Sequence, residues 1–361
     1  MWSTIGELGE FGLIERVTAR FPGTGDVILG PGDDAAIVAA SDGRVVATTD
    51  LLVENRHFRR DWSSAEDVGR KAAAQNIADI AAMGARPTAL LVGFAGPPEL
   101  PVAWAEELSE GLRAECAAAG AAVVGGDTVA AGEITLAVTA LGDLGGHPAV
   151  RRDGALPGDV VAVCGRLGMS AAGFALLEAG VHDADDAERA LAGRAPERGA
   201  GSGSGTAGPD AARSSAGEAP DWPDCLNEHR RPRPPYTDGP GAARLGARAM
   251  LDISDGLVQD LGHIARAGGV RIDLDSADLV PESALCEAAA LLRELGRTDR
   301  TAREHMLFGG EDHALAAAFP PEAELPPQWC PIGTVAAPGA DGPRVTVDGA
   351  AADARGWEHF R

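Results

Sequence analysis

Apolar residues recur at helical spacing near the start of the chain, where Ile5, Leu8, Phe11, Leu13, Ile14 and Val17 predict a helix over 5–20 that Phe21-Pro22-Gly23 ends. Two strand-like runs follow at 35–40 and 44–49, and the Ser41-Asp42-Gly43 turn between them predicts a hairpin. Residues 64–83 form an alanine-rich helix opened by Ser63 and Ser64, with side chains small enough to lie close against a sheet. Its Asn76 and Asp79 are three apart and share a face. Strands at 87–95, 121–124 and 134–141, with a helix over 101–119, complete a first mixed unit. A second unit opens near Arg151, with strands over 160–164, 249–253, 271–274 and 313–319. Helices starting at 165–170 and covering 256–267 and 283–296 alternate with them.

The fold class this predicts is α/β (α+β), mixed sheets with helices, in two domains. A chain of 361 residues is more than one hydrophobic core usually organises. The division is placed at 1–147 and 148–361. Within the second part, about 192–222 combine Gly, Ser, Pro and charge with hardly any large apolar side chain. Such a stretch buries too little surface to offset the entropy of ordering it, so a poorly ordered insertion is expected.

Charge narrows the function classes. A formal net charge of −23 disfavours nucleic-acid and anionic-membrane surfaces, which need clustered Lys and Arg. Lys71 is the sole lysine and no GxxxxGK[ST] stretch occurs, so phosphate must be met by Arg, backbone N–H or metal. Five widely spaced cysteines without a CxxC pair fit reduced thiols. No basic-then-apolar leader and no run of about 18 apolar residues occurs, so a cytoplasmic protein is expected.

The candidate chemistry lies where apolar runs end in acids: GPGDDAA at 30–36, VVATTD at 45–50, VVGGDT at 123–128 and MLDISDGL at 250–257. Carboxylates delivered to a sheet edge repel one another unless cations hold them, which points to a Mg²⁺-loaded phosphate site. Each segment also has a plainer reading. The 30–34 glycines and aspartates make an acidic turn, Thr48, Thr49 and Asp50 a cap, and Gly125-Gly126-Asp127-Thr128 a glycine turn. Asp79 either faces the sheet as a partner or points to solvent. Arg151 and Arg152 either clamp phosphate or solvate a loop. Alternation sends Asp252 and Ser254 to one side, while Asp255 opens the next helix. His57 lies in an Asn-Arg-His-Phe loop that either suits an anionic, ring-bearing substrate or places the histidine as a surface or packing residue. Glu311 either orients a substrate hydroxyl or amine or caps its turn. Trp357, in the terminal GWEHF, packs as a plug or stacks on a flat ring.

Taken in order, GPGDDAA, TTDLLVENRHF, NIADIAAMGA, GGDT, RRDGALPGD, LGMSAAGFALL, MLDISDGLVQDLGHI, GGED and GWEHF closely resemble the thiamine-monophosphate kinase family. That family sits in the superfamily of aminoimidazole ribonucleotide synthetase and selenophosphate synthetase. The resemblance runs over nearly the whole chain apart from the 181–230 insertion. It implies a homodimer of two-domain subunits, with ATP and several Mg²⁺ near the domain junction and subunit interface. It also implies transfer of the ATP γ-phosphate to thiamine monophosphate, giving thiamine diphosphate and ADP. Carried over by motif, Asp34, Thr48, Thr49, Asp50, Asp79, Asp127, Asp252 and Asp255 resemble metal positions. Gly126, Asp127, Arg152 and Ser254 resemble ATP contacts, and His57, Glu311 and Trp357 substrate contacts.

The chemistry is coherent with that assignment. A phosphate monoester approaching ATP brings anions together, and each unit pair at 4 Å costs about 1 kcal/mol in water but about 4 kcal/mol at an effective dielectric of 20. The second phosphate pKa of about 6 leaves the nucleophile already ionised, so direct in-line transfer without a general base or phosphoenzyme is expected. Two alternatives stand beside it: a purine-pathway synthetase-like relative, and a non-catalytic nucleotide-binding scaffold.

Overall fold

The computed structural model describes residues 4–31, 35–192 and 220–352. The predicted first helix is two, α1 (Ile5–Leu8) and α2 (Glu10–Thr18). Gly9 separates them at φ 78°, a left-handed conformation that interrupts the hydrogen-bond ladder. The predicted hairpin also differs. β1 (Val27–Leu29) pairs antiparallel with β2 (Ile37–Val38), so the strands on either side of Ser41-Asp42-Gly43 do not pair with each other. A two-residue β2 offers too few ladder bonds to hold the eight-residue strand that follows.

That strand, β3 (Val46–Val53), belongs to a four-stranded sheet with α3 (Ala65–Ala82), β4 (Arg86–Gly96), α4 (Val102–Ala119), β5 (Ala122–Ala130) and β6 (Thr135–Asp143) in sequence order. The sheet order is β3-β6-β4-β5, with β4 and β5 parallel and the other pairs antiparallel. Ser64 caps α3 reciprocally with Asp67, satisfying N–H groups that a helix start leaves open. A Cβ on Gly69 would lie 2.2 Å from the Leu108 carbonyl oxygen, and one on Gly111 would lie 2.1 Å from that of Glu66. Helices α3 and α4 therefore cross backbone on backbone. The Gly125-Gly126 pair is strand interior and not a turn: a Cβ on Gly126 would fall 1.9 Å from the Val92 carbonyl oxygen. The glycines serve close packing beside β4.

The remaining elements are β7 (Val160–Cys164), α5 (Met169–Glu178), α6 (Ala184–Ala192), α7 (Pro223–Arg230), α8 (Asp238–Arg244), β8 (Ala249–Ile253) and α9 (Leu257–Gly268). Then follow β9 (Arg271–Leu274), α10 (Ser283–Glu294), α11 (Ala302–Phe308), β10 (Ala314–Phe319), β11 (Trp329–Ala336), β12 (Arg344–Val347) and β13 (Ala350–Ala351). Their seven strands form one sheet in the order β13-β12-β9-β11-β7-β10-β8. Most of the predicted insertion, 193–219, lies outside the described residues.

Burial follows the two sheets, with one apolar core drawn mainly from 5–144 and a larger one from 155–345. They interlock. Tyr236 joins the first core and donates to Glu115 Oε1 at 2.7 Å, and Trp62 packs against the second. Gly239 of α8 sits where a Cβ would meet the Ala81 carbonyl oxygen at 2.0 Å, so α8 is pressed onto the end of α3.

Candidate active site

Strand alternation sorts the first-sheet candidates. Thr49, Thr139, Leu91 and Gly125 form one cross-strand row and Leu51, Ala137, Gly93 and Asp127 the next, both on the same outer face. Thr48 and Asp50 project to the opposite face, against α3. There the Thr48 hydroxyl donates to Asp79 Oδ2 at 2.6 Å. The Asp50 N–H, on the free edge of β3, donates to Asn76 Oδ1 at 3.0 Å. The shared face of Asn76 and Asp79 is thus turned to β3. Thr49 hydrogen-bonds to the Val138 carbonyl oxygen, and Asp127 accepts its neighbour Thr128's N–H, each away from Asp79.

A cavity of ≈ 850 Å³ opens between α3, the loop after β3, α5, α7 and the two loops flanking α9 and β10. Asp50 and Asp79 line it from the first sheet and its helix, and Asp252, Ser254 and Asp255 from β8 and its following turn. His57 and Glu311 line it as well. Gly126, Asp127 and Arg152 are not among its lining residues, and Asp34 and Trp357 lie outside the described residues.

Its electrostatics are those of crowded anions. Burial, and then the Asp252 and Asp50 charges, push the Asp79 carboxyl up to about 7, against the lowering effect of the Thr48 hydroxyl. The imidazole Nδ1 of His313 lies 3.2 Å from Asp252 Oδ2, and its pKa is raised: burial opposes the charged form, but the Asp252 hydrogen bond and charge outweigh it.

Asp260, absent from the sequence-predicted set, accepts the N–H groups of Ser254, Asp255 and Gly256 at 3.1, 2.9 and 3.0 Å from the first turn of α9. It fixes the loop that presents Asp255 next to the end of β8. Asp312 does the same for α5, accepting from Gly168 N at 2.6 Å and Ser170 N at 3.2 Å. Its neighbour Glu311, held at φ 61°, turns the other way. Glu311 Oε2 meets Lys71 Nζ at 3.1 Å and His229 Nδ1 at 3.2 Å, and Lys71 also donates to the His57 carbonyl oxygen at 3.2 Å. The chain's only lysine therefore ties α3, the His57 loop and the Glu311 loop together. Although burial works against the charge, Lys71 and His229 hold the Glu311 carboxyl well below the usual range. A lone lysine in an alanine-rich helix was a signal in the sequence, whereas nothing local marks His229.

Rings line the same cavity. Trp62 and Phe174 meet edge to face at 5.8 Å, Phe174 and His229 lie 5.5 Å apart, and the Arg59 guanidinium sits 4.5 Å over Trp62. Carboxylates, aromatic faces and arginines thus share one cleft.

Comparison with known proteins bears on this arrangement. The profile of AIR synthase related proteins, N-terminal domain, matches residues 32–144. The thiamine-monophosphate kinase of Mycobacterium tuberculosis is 45% identical over 99% of this chain and 93% of its own length. The chain belongs to the thiamine-monophosphate kinase family. The crystal structure of thiamine-monophosphate kinase from Stenotrophomonas maltophilia K279a superposes with a TM-score of 0.73 at 33% identity, covering 95% of this chain and 98% of that one. A second kinase structure, AaThiL complexed with AMPPCP and TMP, gives 0.71 at 29% identity over 98% of both chains. The fold is the AIR synthase-like fold, with mixed sheets and helices.

The fit to Mg²⁺ rests on donor chemistry. Hard carboxylate oxygens face the cleft from both sheets, and the Asp79 carboxyl is raised by burial and then by the neighbouring Asp252 and Asp50 charges. Among the described residues no three His, Cys, Asp or Glu side chains converge as a complete metal cage. Mg²⁺ is usually held by one or two carboxylates plus substrate phosphates and water, so an all-protein cage is not what its chemistry calls for.

Proposed function

We propose that this chain transfers the γ-phosphate of ATP directly to thiamine monophosphate, giving thiamine diphosphate and ADP. The observation that carries the reading is the convergence of Asp50 and Asp79 with Asp252 and Asp255 around one ring-lined cleft. A site with these groups suits a substrate that is anionic at one end and a flat heteroaromatic at the other. In this reading Asp50, Asp79, Asp252 and Asp255 hold Mg²⁺, Ser254 contacts ATP, and His57 and Glu311 border the substrate. Held by these carboxylates, Mg²⁺ would supply neutralisation of the charge that keeps the nucleophile from ATP. The protein's own part is positioning: Asp260 and Asn76 hold the backbone that bears the acids, and the Lys71–Glu311 pair fixes the loops on either side. A cationic thiazolium against an aromatic face such as Phe174 gains roughly 0.5–2 kcal/mol. No protein base is needed, because the attacking phosphate is already ionised.

A coupled assay with Mg²⁺ and ATP tests this. ADP is expected with thiamine monophosphate and not with thiamine or aminoimidazole precursors, with thiamine diphosphate as the second product. Equal turnover of thiamine, or none with the monophosphate, would remove the reading.

The same reading takes a two-domain subunit divided near 147 and 148, acting as a homodimer in the cytoplasm. Leu51 is 56% exposed, Val129 59% and Leu91 37%, all on the outer face of the four-stranded sheet, an apolar patch suited to a second copy. Wild-type protein should sediment as a dimer and Leu51→Glu as a monomer; a monomeric wild type rules the dimer out. Among the described residues no helix is long and apolar enough to cross a membrane. Cys116, Cys164 and Cys225 are buried free thiols, which suits a reducing compartment that cell fractionation would identify.

A further inference from the structure

His305 stands in the last turn of α11, is 2% exposed, and among the described residues neither ring nitrogen has a hydrogen-bond partner. The residue is part of the cleft lining together with Trp62, Phe174, Thr298 and Phe308. Buried polar side chains are nearly always paired, and one left unpaired costs about 1–3 kcal/mol. The ring has no room to withdraw by backbone movement. Thr301 and Glu304 cap α11 reciprocally, a Cβ on Gly168 would lie 2.6 Å from the His305 carbonyl carbon, and one on Gly309 would lie 2.4 Å from its oxygen. Burial and then Arg300 lower the imidazole pKa to about 4, so the ring is neutral at physiological pH. A neutral imidazole offers one N–H donor and one acceptor nitrogen.

We infer that His305 is a specificity-determining residue that hydrogen-bonds the polar edge of the substrate's aminopyrimidine ring. This rests on the kinase reading above and names the part of the substrate that the cleft distinguishes. An aminopyrimidine carries amine donors beside ring-nitrogen acceptors, so it complements whichever tautomer His305 adopts. The apolar lining of Trp62, Phe174 and Phe308 encloses the flat ring and leaves His305 to read its edge. A site built to hydrogen-bond its substrate discriminates strongly against an analogue lacking the group, because the protein partner is then left unpaired.

The test compares wild type, His305→Leu and His305→Gln in the full chain. His305→Leu removes a buried unpaired group, so the melting temperature of the ligand-free protein should rise, by roughly 2–4 °C. Its KM for thiamine monophosphate should rise about tenfold, with kcat and the KM for ATP held within about twofold. His305→Gln, which keeps a donor and an acceptor, should recover most of the KM. An analogue lacking the exocyclic amine should bind the wild type about tenfold more weakly than the natural substrate, while His305→Leu treats the two alike. A stabilised His305→Leu with unchanged KM would show that the ring only fills space and overturns the proposal, leaving the kinase reading intact. A joint loss of kcat and stability, or continued discrimination of the analogue by His305→Leu, overturns it as well. If His305→Leu does not fold, His305→Phe takes its place: a KM and a discrimination of the analogue both unchanged from wild type overturn the edge contact. Failure of the wild type to use thiamine monophosphate at all would remove the kinase reading itself.

Discussion

Asp50→Asn should lower kcat by about 10²–10³-fold while leaving the fold intact. The substitution is isosteric, and the backbone N–H that Asn76 accepts is unchanged, so the edge of β3 keeps its anchor. What is lost is one full negative charge on the first-sheet side of the cleft. Charge neutralisation by carboxylate-held Mg²⁺ supplies several kcal/mol of transition-state stabilisation, and each 1.36 kcal/mol is about tenfold in rate. Two accompanying measurements separate this from general damage. The Mg²⁺ concentration giving half-maximal rate should rise, and the metal-free protein should be at least as stable as wild type, because Asp50 is one of the charges that raise the Asp79 pKa. Turnover within about threefold of wild type, at the same Mg²⁺ requirement, would remove Asp50 from the metal role.

Glu311→Gln should be among the most destabilising single changes in the chain, costing about 3–5 kcal/mol of unfolding free energy. Lys71 is 3% exposed, and among the described residues Glu311 is the only carboxylate paired with it. With glutamine at 311 the ammonium keeps the His57 carbonyl but stays buried without a compensating charge. Glu311 itself is 37% exposed, so the reverse change, Lys71→Met, should cost less, since water and His229 still reach the remaining carboxylate. The double variant Lys71→Met/Glu311→Gln should recover most of the loss, because it removes both charges together. Denaturant titrations of the four proteins decide it. Additive losses in the double variant would mean that the pair does not act as a unit.

Several features were legible in the sequence because they depend on spacing alone. The α3 helix, its serine cap and the shared face of Asn76 and Asp79 follow from a 3.6-residue period, and α3 duly presents both residues to β3. Strand β9 over 271–274 matches its alternation of charged and apolar residues. The misses have local causes. Gly9 splits a helix that its apolar period would join, and β2 is too short to outcompete β6 as the partner of β3. The Gly125-Gly126-Asp127 segment, expected to end its strand, lies inside β5, and the register puts Asp127 on the outer face of the sheet. Asp260 and Asp312 look like ordinary helix-start and loop acids, and only their backbone partners reveal that they hold the loops carrying Asp255 and Glu311.

The sequence alone determined the family, the alternation of helices and strands, and which residue types were present to meet phosphate, since these reside in composition, order and local period. The tertiary structure alone decided which acids meet. Strand register sends Thr48 and Asp50 to the face packed on α3 and Thr49 and Asp127 to the other face, and the packing of two sheets brings residue 71 within hydrogen-bond distance of residue 311. Distance along the chain carries no information about that second kind of contact, because it is set by side chains packing between elements and not by the period within any one of them.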